Sequence, residues 1–526
     1  MALIDWIIVL VFIGALVGVG FWFSRSNRNI RDYFLAGKSM PGWLVALAAT
    51  GTSVSAGTFV GSPELGFNTN LTYLMLCVGA IFGGLLVARF FLPRLYNAGT
   101  ITIYGFIGER FGEGSKRWTS GMFLLGQLFT SGSRLFIAAI AVSVILYGSI
   151  HFQFLVYSIL ILGVISTLYT MAGGIKGLLY IDALQILLVV GTGLVALVMV
   201  YVSMTPDLSF GQIWDSLVHG QVKIAGQWEP GNKLQVVDAS WRFDLPYNLV
   251  GALLAATVFK VAQFSTDQEF VQRQLTCRDV RKAGSSLVAS QVISLPIVLV
   301  FLSIGLLLFS KYSQTDPAAF AQYQGDARDL FPQYICHCIP AGLRGLMMVG
   351  LLAAALSSFN SAINSMASSF TADLYLPIRR QRGRALETDS AQMASSKKMT
   401  VFMGLALTGF AIFTAVLQSM SGMNLVDFAT GVMCFSYAGM LGVFLTALFT
   451  RRGNARSVVA ALIAGLLVAF FLMTAKSLFC VNLTVAWPWW TPIGGIVSFL
   501  ICLSGKPVDT DRECADAQFS EKQRVC

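Results

Sequence analysis

Long apolar segments constrain the fold of this 526-residue chain more than any other feature of its sequence. Each is long enough to cross the ~30 Å hydrocarbon core of a bilayer. Because no water is there to bind the backbone N–H and C=O groups, the chain pairs them with one another by forming helices. With 56% hydrophobic and 12% charged residues, the chain is predicted to be an all-α polytopic membrane protein with about thirteen transmembrane helices. Their approximate limits are 4–23, 42–67, 72–97, 118–148, 153–171, 176–204, 246–270, 283–310, 341–370, 399–419, 425–449, 456–475 and 485–503.

Basic residues are concentrated in every second connection between these segments. The clusters include Arg25, Arg28, Arg31, Lys38, Arg110, Lys116, Arg117, Arg273, Arg278, Arg281, Lys282, Arg379, Arg380, Lys397, Lys398, Arg451 and Arg452. Lys and Arg favour the cytoplasmic side, so the pattern predicts a plasma (cytoplasmic) membrane protein with its N-terminus outside and its C-terminus in the cytoplasm. It also accounts for the net charge of +10 without a nucleic-acid partner.

A polar stripe runs through one apolar segment, Leu352–Ser369, which contains LAAALSSFNSAINSMASS. Ser357, Ser361 and Ser365 recur at a spacing of four and therefore lie on one side of a helix. Small residues also let helices pack closely, and that explanation stays open. Hydroxyl oxygens in a dry site suit a small, hard cation, so the stripe favours an ion-coupled transporter that binds sodium.

Polar and flexible residues interrupt two of the apolar segments. The interruptions are GTSVSAGT at 51–58 and KVAQFSTDQ at 260–268. Interrupted segments at matching places in two halves are typical of inverted repeats with a binding site near the membrane midplane. We therefore predict a ten-helix core of two inverted five-helix repeats, at 42–204 and 246–449, in which the first and sixth core helices are broken.

One carboxylate, Asp182, is predicted inside the membrane, about 9 Å from the inner end of its helix at ~1.5 Å per residue. Ser361 lies about 14 Å from the same face. A carboxylate at this depth needs a partner. A cation shared with Ser361 and Asn360 is one candidate, and an ion pair with Lys176 or solvation at the inner surface are the alternatives.

Two basic residues, Arg134 and Lys260, are predicted near mid-membrane, about 24 Å and 21 Å along their helices. Either Glu64 or an anionic solute must balance them. The planar guanidinium fork suits a carboxylate, so the pattern favours a carboxylate-bearing solute over a neutral sugar. The predicted solute-binding residues are Ser55, Thr58, Arg134, Lys260 and Gln263.

Several segments in order resemble the sodium:solute symporter family, which includes sodium-coupled glucose, proline, pantothenate and sialic acid transporters. They are DYFLAGK at 32–38, SAGTFVG at 55–61, ITIYGFIGERFG at 101–112, YTMAGGIKGLLYIDALQ at 169–185, TDQEFVQR at 266–273, GLRGLMMVGLLAAALSSFNSAINS at 342–365 and YAGMLGVFLTALFTRRGN at 437–454. The resemblance implies ten core helices, with one further helix before them and two after.

The resemblance also implies ligands for sodium. The principal sodium site falls on the carbonyls of Gly51, Val54 and Ala354 and the hydroxyls of Ser357 and Ser358. A second sodium, which some members bind, falls on Asp182, Ser361 and Asn360. Within the family, carboxylate transporters have an arginine in a context similar to SGSRL at 131–135, and sugar carriers are expected to have asparagine where this chain has Lys260.

The predicted order along the chain is an extra N-terminal helix at 4–23, repeat one at 42–204, an external loop at 205–245, repeat two at 246–449, two C-terminal helices at 456–503 and a cytoplasmic tail at 504–526. The predicted function is import of a small, carboxylate-bearing organic solute together with sodium, by alternating access and as a monomer. A neutral-solute symporter and a transporter-like nutrient sensor are the alternatives. An enzyme is not predicted, because no histidine lies well inside a predicted helix.

Overall fold

The computed structural model describes residues 2–24, 29–224, 226–384, 388–421, 423–475 and 485–506. Residues 507–526, which form most of the predicted cytoplasmic tail, lie outside this description, as do residues 476–484 between the two predicted C-terminal helices. Within the described residues the chain is helical, apart from its connections and one short β-hairpin.

The helices follow the apolar segments of the sequence. In chain order they are α1 (Leu3–Ser24), α2 (Ile30–Leu35), α3 (Gly42–Ser53), α4 (Ser62–Asn68), α5 (Leu74–Leu86), α6 (Leu92–Asn97), α7 (Ile103–Phe111), α8 (Glu113–Tyr147), α9 (Phe152–Val202), α10 (Phe210–Val218), α11 (Thr257–Thr266), α12 (Gln268–Leu275), α13 (Val280–Thr315), α14 (Pro317–Gly325), α15 (Leu330–Cys338), α16 (Leu343–Ser369), α17 (Leu376–Gln381), α18 (Asp389–Ser421), α19 (Leu425–Phe449), α20 (Ala455–Thr474) and α21 (Trp490–Leu503). Wider π-type turns at Gly57–Gly61, Val87–Phe91, Gly251–Ala256 and Phe370–Tyr375 extend several of them, and the hairpin pairs β1 (Gln221–Ile224) with β2 (Gln227–Pro230).

Nine helices in the described ranges are long and apolar enough to cross a membrane. They are Leu71–Asn97, Glu113–Tyr147, Phe152–Met171, Gly173–Val202, Val280–Thr315, Leu343–Gln381, Asp389–Met420, Leu425–Phe449 and Ala455–Thr474. The bent pair Gly42–Ser53 and Gly57–Asn68 passes the same test when its two parts are counted together. Two of the nine are the arms of α9, which the chain joins at Gly174, where φ is 60°. The protein is therefore a mostly helical, multi-pass membrane protein.

Both interrupted segments are broken in the structure. Helix α3 ends at Ser53, Val54 is extended (φ −92°, ψ 95°), and the helical path resumes at Gly57 after a bend of 55°. Helix α11 ends at Thr266, and the extended Asp267 (φ −96°, ψ 118°) caps the N-terminus of α12. Backbone groups at a helix end lack partners along the helix, so each break exposes polar atoms inside the protein.

Helix α16 carries the serine stripe and lies at the centre of the fold. All of its residues from Met347 to Ser369 are buried, and it packs against both α9 and α8, as well as α18 and α1. Its polar face is turned toward protein rather than lipid. Because α3 also contacts α16, the first helix break lies beside the stripe.

The connection between α9 and α11 packs onto this helical core. It contains α10 and the hairpin, and it inserts Lys233, which is fully buried. Lys233 Nζ donates to the backbone carbonyls of Phe67 and Thr69, both at 2.7 Å, at the end of α4. The loop thereby contacts the second half of the first broken helix.

Candidate sodium and solute sites

The first helix break presents two backbone carbonyls without hydrogen-bond partners. Val54 N donates to Thr50 O at 2.8 Å, and Thr58 N donates to Ser55 O at 2.9 Å. Among the described residues no hydrogen bond reaches the carbonyl oxygens of Gly51 or Val54. These oxygens are the ones assigned to the principal sodium site, and the break leaves them free to bind a cation.

The serine stripe lies against this break at Gly51. A Cβ placed on Gly51 would lie 3.0 Å from Ser357 Oγ and 3.3 Å from the carbonyl oxygen of Asp182. The next residue of α16, Ser358, donates its hydroxyl hydrogen to Ala354 O, one turn back along the helix, at 3.4 Å, which is a long hydrogen bond. Ser357 and Ser358 are both about 1% exposed. Gly51 and the predicted ligand Ser357 therefore lie together in a buried place.

The donor chemistry of this place fits sodium. The described residues contain no group of three or more His, Cys, Asp or Glu side chains that would hold a metal ion. The available donors are neutral carbonyl and hydroxyl oxygens, which suit a hard monovalent cation better than a transition metal. Gly51, Val54, Ala354, Ser357 and Ser358 would therefore hold sodium.

Asp182 makes an ion pair that the sequence analysis did not anticipate. Its Oδ2 lies 2.8 Å from Nη2 of Arg273, and its Oδ1 accepts the hydroxyl hydrogen of Ser357 at 2.7 Å. Nη2 of Arg273 also donates to Ser361 Oγ. Asp182 is fully buried and pairs with Arg273 in this structure, and the guanidinium contacts two of the residues proposed for the second sodium.

Asn360, the third residue of that proposed second site, points elsewhere. Its Oδ1 accepts a hydrogen bond from the hydroxyl of Thr170 at 2.9 Å, on the first arm of α9. The structure thus brings Asp182, Ser357 and Ser361 together around Arg273, and it uses the Asn360 oxygen in a contact between helices.

Arg273 is buried, although the sequence counted it among the basic residues of a connection between segments. The sequence placed it in a cytoplasmic basic cluster after the seventh segment, whereas the structure leaves only 2% of it exposed. It lies on α12, the short helix after the second break. The break at Asp267 redirects the chain inside the protein, so that a residue near the end of an apolar segment is buried.

The five predicted solute-binding residues line one cavity of about 80 Å³. Ser55 and Thr58 come from the first break, Arg134 from α8, and Lys260 and Gln263 from α11. The rest of the wall is formed by Ser53, Gly57, Tyr73, Phe270, Val426, Ala429, Thr430 and Met433. The wall combines two cationic side chains, several hydroxyls and apolar groups, which is the composition of a small-molecule site.

The two cations on this wall have different partners. Arg134 Nη1 lies 3.2 Å from Oε2 of Glu269, and Lys260 Nζ donates to Gln263 Oε1 at 2.9 Å. Glu64, one of the two alternatives that the sequence offered for balancing one of these cations, accepts the backbone N–H of Leu425 at 3.1 Å. The carboxylate paired with Arg134 is that of Glu269.

A buried polar network around the second break was missed from the sequence. Nε2 of Gln127 donates to Asp267 at 3.0 and 3.1 Å and to Oε2 of Glu269 at 3.1 Å. The hydroxyl of Tyr437 donates to Asp267 Oδ2 at 2.5 Å. A signal was present in TDQEFVQR at 266–273, where two acids and an arginine follow an apolar segment directly.

Comparisons with known proteins agree with this architecture. The profile of the Sodium:solute symporter family matches residues 33–465. Among curated proteins, the "Sodium/sialic acid symporter NanT" of Aliivibrio fischeri is 24% identical over 90% of this chain and 88% of its own length. The "Sodium/sialic acid symporter SiaT" of Proteus mirabilis is 23% identical over 88% of both chains, and the "Sodium/glucose cotransporter 4" of Mus musculus is 26% identical over 89% of this chain and 68% of its own length.

A solved structure shares the fold along almost the whole chain. A sodium-coupled sialic acid symporter, described as a substrate-bound outward-open state, aligns with a TM-score of 0.78 and 21% identity over 95% of this chain and 97% of that one. The nucleobase-cation-symport transporter Mhp1 aligns with a TM-score of 0.51 and 14% identity over 90% of this chain and 93% of that one. With the family profile covering most of its length, this chain belongs to the sodium:solute symporter family.

Proposed function

We propose that this protein is a sodium-coupled symporter that imports a small carboxylate-bearing solute by alternating access. The proposal is carried by the cavity wall that Arg134 and Lys260 share with the first helix break. A buried cation, Arg134, and a half-buried cation, Lys260, at one cavity attract an anion. Two of the relatives are named as symporters of sialic acid, which is itself a carboxylic acid.

Sodium is the coupling ion in this proposal. Gly51, at the first helix break, lies against Ser357 of α16. An ion held by the carbonyls of Gly51 and Val54 and by the hydroxyls of α16 would therefore join the first broken helix to the serine stripe. Sodium shifts the carrier toward one conformation only as far as it binds that conformation more tightly. We infer that it favours the outward-open state and that its loss accompanies separation of α3 from α16.

The solute would close the outer side by bridging three elements that line the cavity. Arg134 lies on α8, Lys260 on α11, and Ser55 and Thr58 on the break between α3 and α4. A solute that contacts all three elements binds best when they are close together, and its affinity therefore favours closure. The cavity of about 80 Å³ must widen to admit a sugar-sized acid, as alternating access requires.

A second sodium at Asp182, Ser361 and Asn360 is a separate proposal. One sodium carried with a monovalent anion moves no net charge, so a tenfold sodium gradient supplies only about 1.4 kcal/mol. A second sodium adds the same amount again and about 2.3 kcal/mol per 100 mV of membrane potential. For that ion to reach Asp182, Arg273 must first leave the carboxylate.

The finer membrane architecture also belongs to this proposal. We propose that α1, the bent pair α3–α4, α11 with α12, and α21 cross the membrane beside the nine long helices and complete the thirteen predicted spans. On this proposal the N-terminus lies outside and the C-terminus inside the plasma membrane. We also propose that its core consists of two inverted repeats, that the protein works as a monomer and that it catalyses no reaction.

Uptake into proteoliposomes tests the function directly. We expect N-acetylneuraminate or another monocarboxylate to accumulate when sodium is supplied outside, and not when potassium replaces it. Glucose, which carries no carboxylate, serves as the comparison solute. Sodium-driven uptake of glucose without uptake of any acid would contradict the carboxylate assignment, and sodium-dependent binding without uptake would indicate a sensor.

A further inference from the structure

The two cations of the solute cavity are not balanced equally. Arg134 Nη1 lies 3.3 Å and 3.2 Å from the two carboxylate oxygens of Glu269. Lys260 donates to the neutral oxygen of Gln263, and no described carboxylate oxygen lies within 4.0 Å of its Nζ. The positive charge of Arg134 is therefore cancelled by the protein, whereas that of Lys260 is not.

Glu269 cancels this charge without occupying the whole guanidinium. Within the described chain only Nη1 of Arg134 makes a hydrogen bond, so its Nε and Nη2 remain available. Arg134 lines the cavity, whereas Glu269 is fully buried and does not. A solute carboxylate can thus use the free edge of the guanidinium while Glu269 holds the opposite side.

The neighbouring carboxylate, Asp267, accepts hydrogen bonds from groups other than the two cations. It caps α12, accepting the backbone N–H of Glu269 at 2.8 Å, and it accepts from Gln127 and Tyr437. These neutral donors and the positive end of the α12 dipole stabilise the negative charge of Asp267. Asp267 makes no ion pair with Arg134 or Lys260, and it does not line the cavity.

We propose that Glu269 sets the net charge of the cavity at +1 and thereby restricts the carrier to solutes with a single negative charge. The inference rests on the proposed anion site. A monoanion pairs with the remaining charge of Lys260, whereas a second solute charge would stay unpaired in a buried place. Glu269 acts through Arg134 and does not itself touch the solute, so it is a specificity-determining residue.

A charge series of similar size tests this inference on the full-length, purified protein. The probes are glucose (neutral), glucuronate and N-acetylneuraminate (single charge) and glucarate (double charge), each titrated in sodium with the melting temperature as readout. For the wild type we expect the monoanions to bind at least about tenfold more tightly than glucarate, the size of a single unpaired charge near a buried site. In Glu269→Gln the amide oxygen still accepts from Arg134, and we expect the preference between glucuronate and glucarate to shift toward glucarate by about tenfold.

Two variants separate the charge at this position from its structural role. Glu269→Asp keeps the charge and is expected to keep the wild-type preference for the monoanion. Asp267→Asn removes a carboxylate two residues away and keeps a good helix cap, so the preference should change less than about twofold.

The possible results lead to distinct conclusions. Equal binding of glucuronate and glucarate by the wild type, an unchanged preference in Glu269→Gln, or the same shift in Asp267→Asn would each overturn the inference while leaving a carboxylate carrier in place. A response to glucose and to none of the acids would overturn both the inference and the proposed carboxylate transport.

Discussion

The hydroxyl of Ser357 donates its hydrogen to Asp182 across 2.7 Å, from the stripe of α16 to the second arm of α9. A serine hydroxyl has one hydrogen and two lone pairs. With the hydrogen committed to Asp182, the lone pairs of Ser357 are free to face Gly51, whose backbone lies against Oγ. In the proposed sodium site, Asp182 would therefore orient Ser357 as a ligand, and in this structure Asp182 is at the same time paired with Arg273.

The comparison of Asp182→Asn with Asp182→Ala isolates this orienting role. Both variants leave Arg273 buried without its charge partner, so both should lose about 3–5 kcal/mol of the free energy of unfolding. Only Asn still offers an oxygen to Ser357. We therefore expect the sodium concentration for half-maximal uptake to rise several-fold more in the Ala variant than in the Asn variant. Identical sodium dependence in the two variants would show that Asp182 does not orient Ser357.

Ser358→Ala should weaken sodium binding without disturbing the packing of α16. Ser358 donates only the long 3.4 Å bond to Ala354 O, so removing its hydroxyl costs little stability. We expect the sodium concentration for half-maximal uptake to rise several-fold. Ser365→Ala is the matched control, because Ser365 lies on the same buried stripe and bonds its own helix at Ala362 O. If the two variants behave alike, Ser358 is not a sodium ligand.

The helices themselves were predictable because lipid imposes a simple rule on the sequence. A segment must remain apolar for the full width of the bilayer, and α19, at Leu425–Phe449, begins and ends at the predicted limits of 425–449. The breaks at Val54 and Asp267 were also visible, since polar residues and glycine interrupt otherwise apolar runs. The order of apolar and polar residues along the chain was enough to predict these helices and breaks.

The partners of buried charges were not predictable in the same way. Counting residues along an assumed straight helix placed Arg134 near mid-membrane. It did not predict which way the side chain points around the helix axis or which residue it contacts. Glu269 and Arg273 lie after the second break, on α12, whose direction depends on the extended backbone of Asp267. Their ion pairs with Arg134 and Asp182 join residues that are 135 and 91 positions apart. Only the packing of α12 against the other helices reveals such contacts.

Gly51→Ala should impair the sodium site through a close contact. Its new Cβ would lie 3.0 Å from Ser357 Oγ and 3.3 Å from the backbone oxygen of Asp182, closer than such atoms normally approach. We expect the break to shift away from α16 and the sodium requirement for uptake to rise by tenfold or more. Gly191→Ala provides the control, because nothing lies within 4 Å of the Cβ that it adds. A normal sodium requirement in Gly51→Ala would argue against close coordination at this break.

Lys260→Gln tests whether the unbalanced charge of the cavity attracts the solute. The variant keeps a polar side chain beside Gln263 and removes the one cation of the wall that lacks a carboxylate partner among the described residues. We expect the affinity for N-acetylneuraminate or the best-bound monocarboxylate to fall by about tenfold, with the sodium dependence retained. Lys223→Gln is the control for the loss of one positive charge, because Lys223 lies in the hairpin and not in the cavity wall. Unchanged affinity in Lys260→Gln would remove this residue from the solute site.

Lys233→Met tests whether the external loop stabilises the outer half of the first broken helix. The fully buried ammonium donates to the carbonyls of Phe67 and Thr69 and lies 4.0 Å from the ring centroid of Phe309. A cation at the end of α4 satisfies carbonyls that the helix itself leaves unpaired. Methionine fills a similar volume but donates no hydrogen bond, so the free energy of unfolding should fall by on the order of 3 kcal/mol.

The sodium concentration for half-maximal uptake should stay the same in Lys233→Met, because the change lies beyond the break. Lys223→Met is the control and should be nearly neutral, because the Nζ of Lys223 donates one hydrogen bond, to Gln324 O at 3.2 Å, and lies 5.8 Å from the ring centroid of Trp228. A Lys233→Met protein as stable as the wild type would show that the loop does not hold this helix.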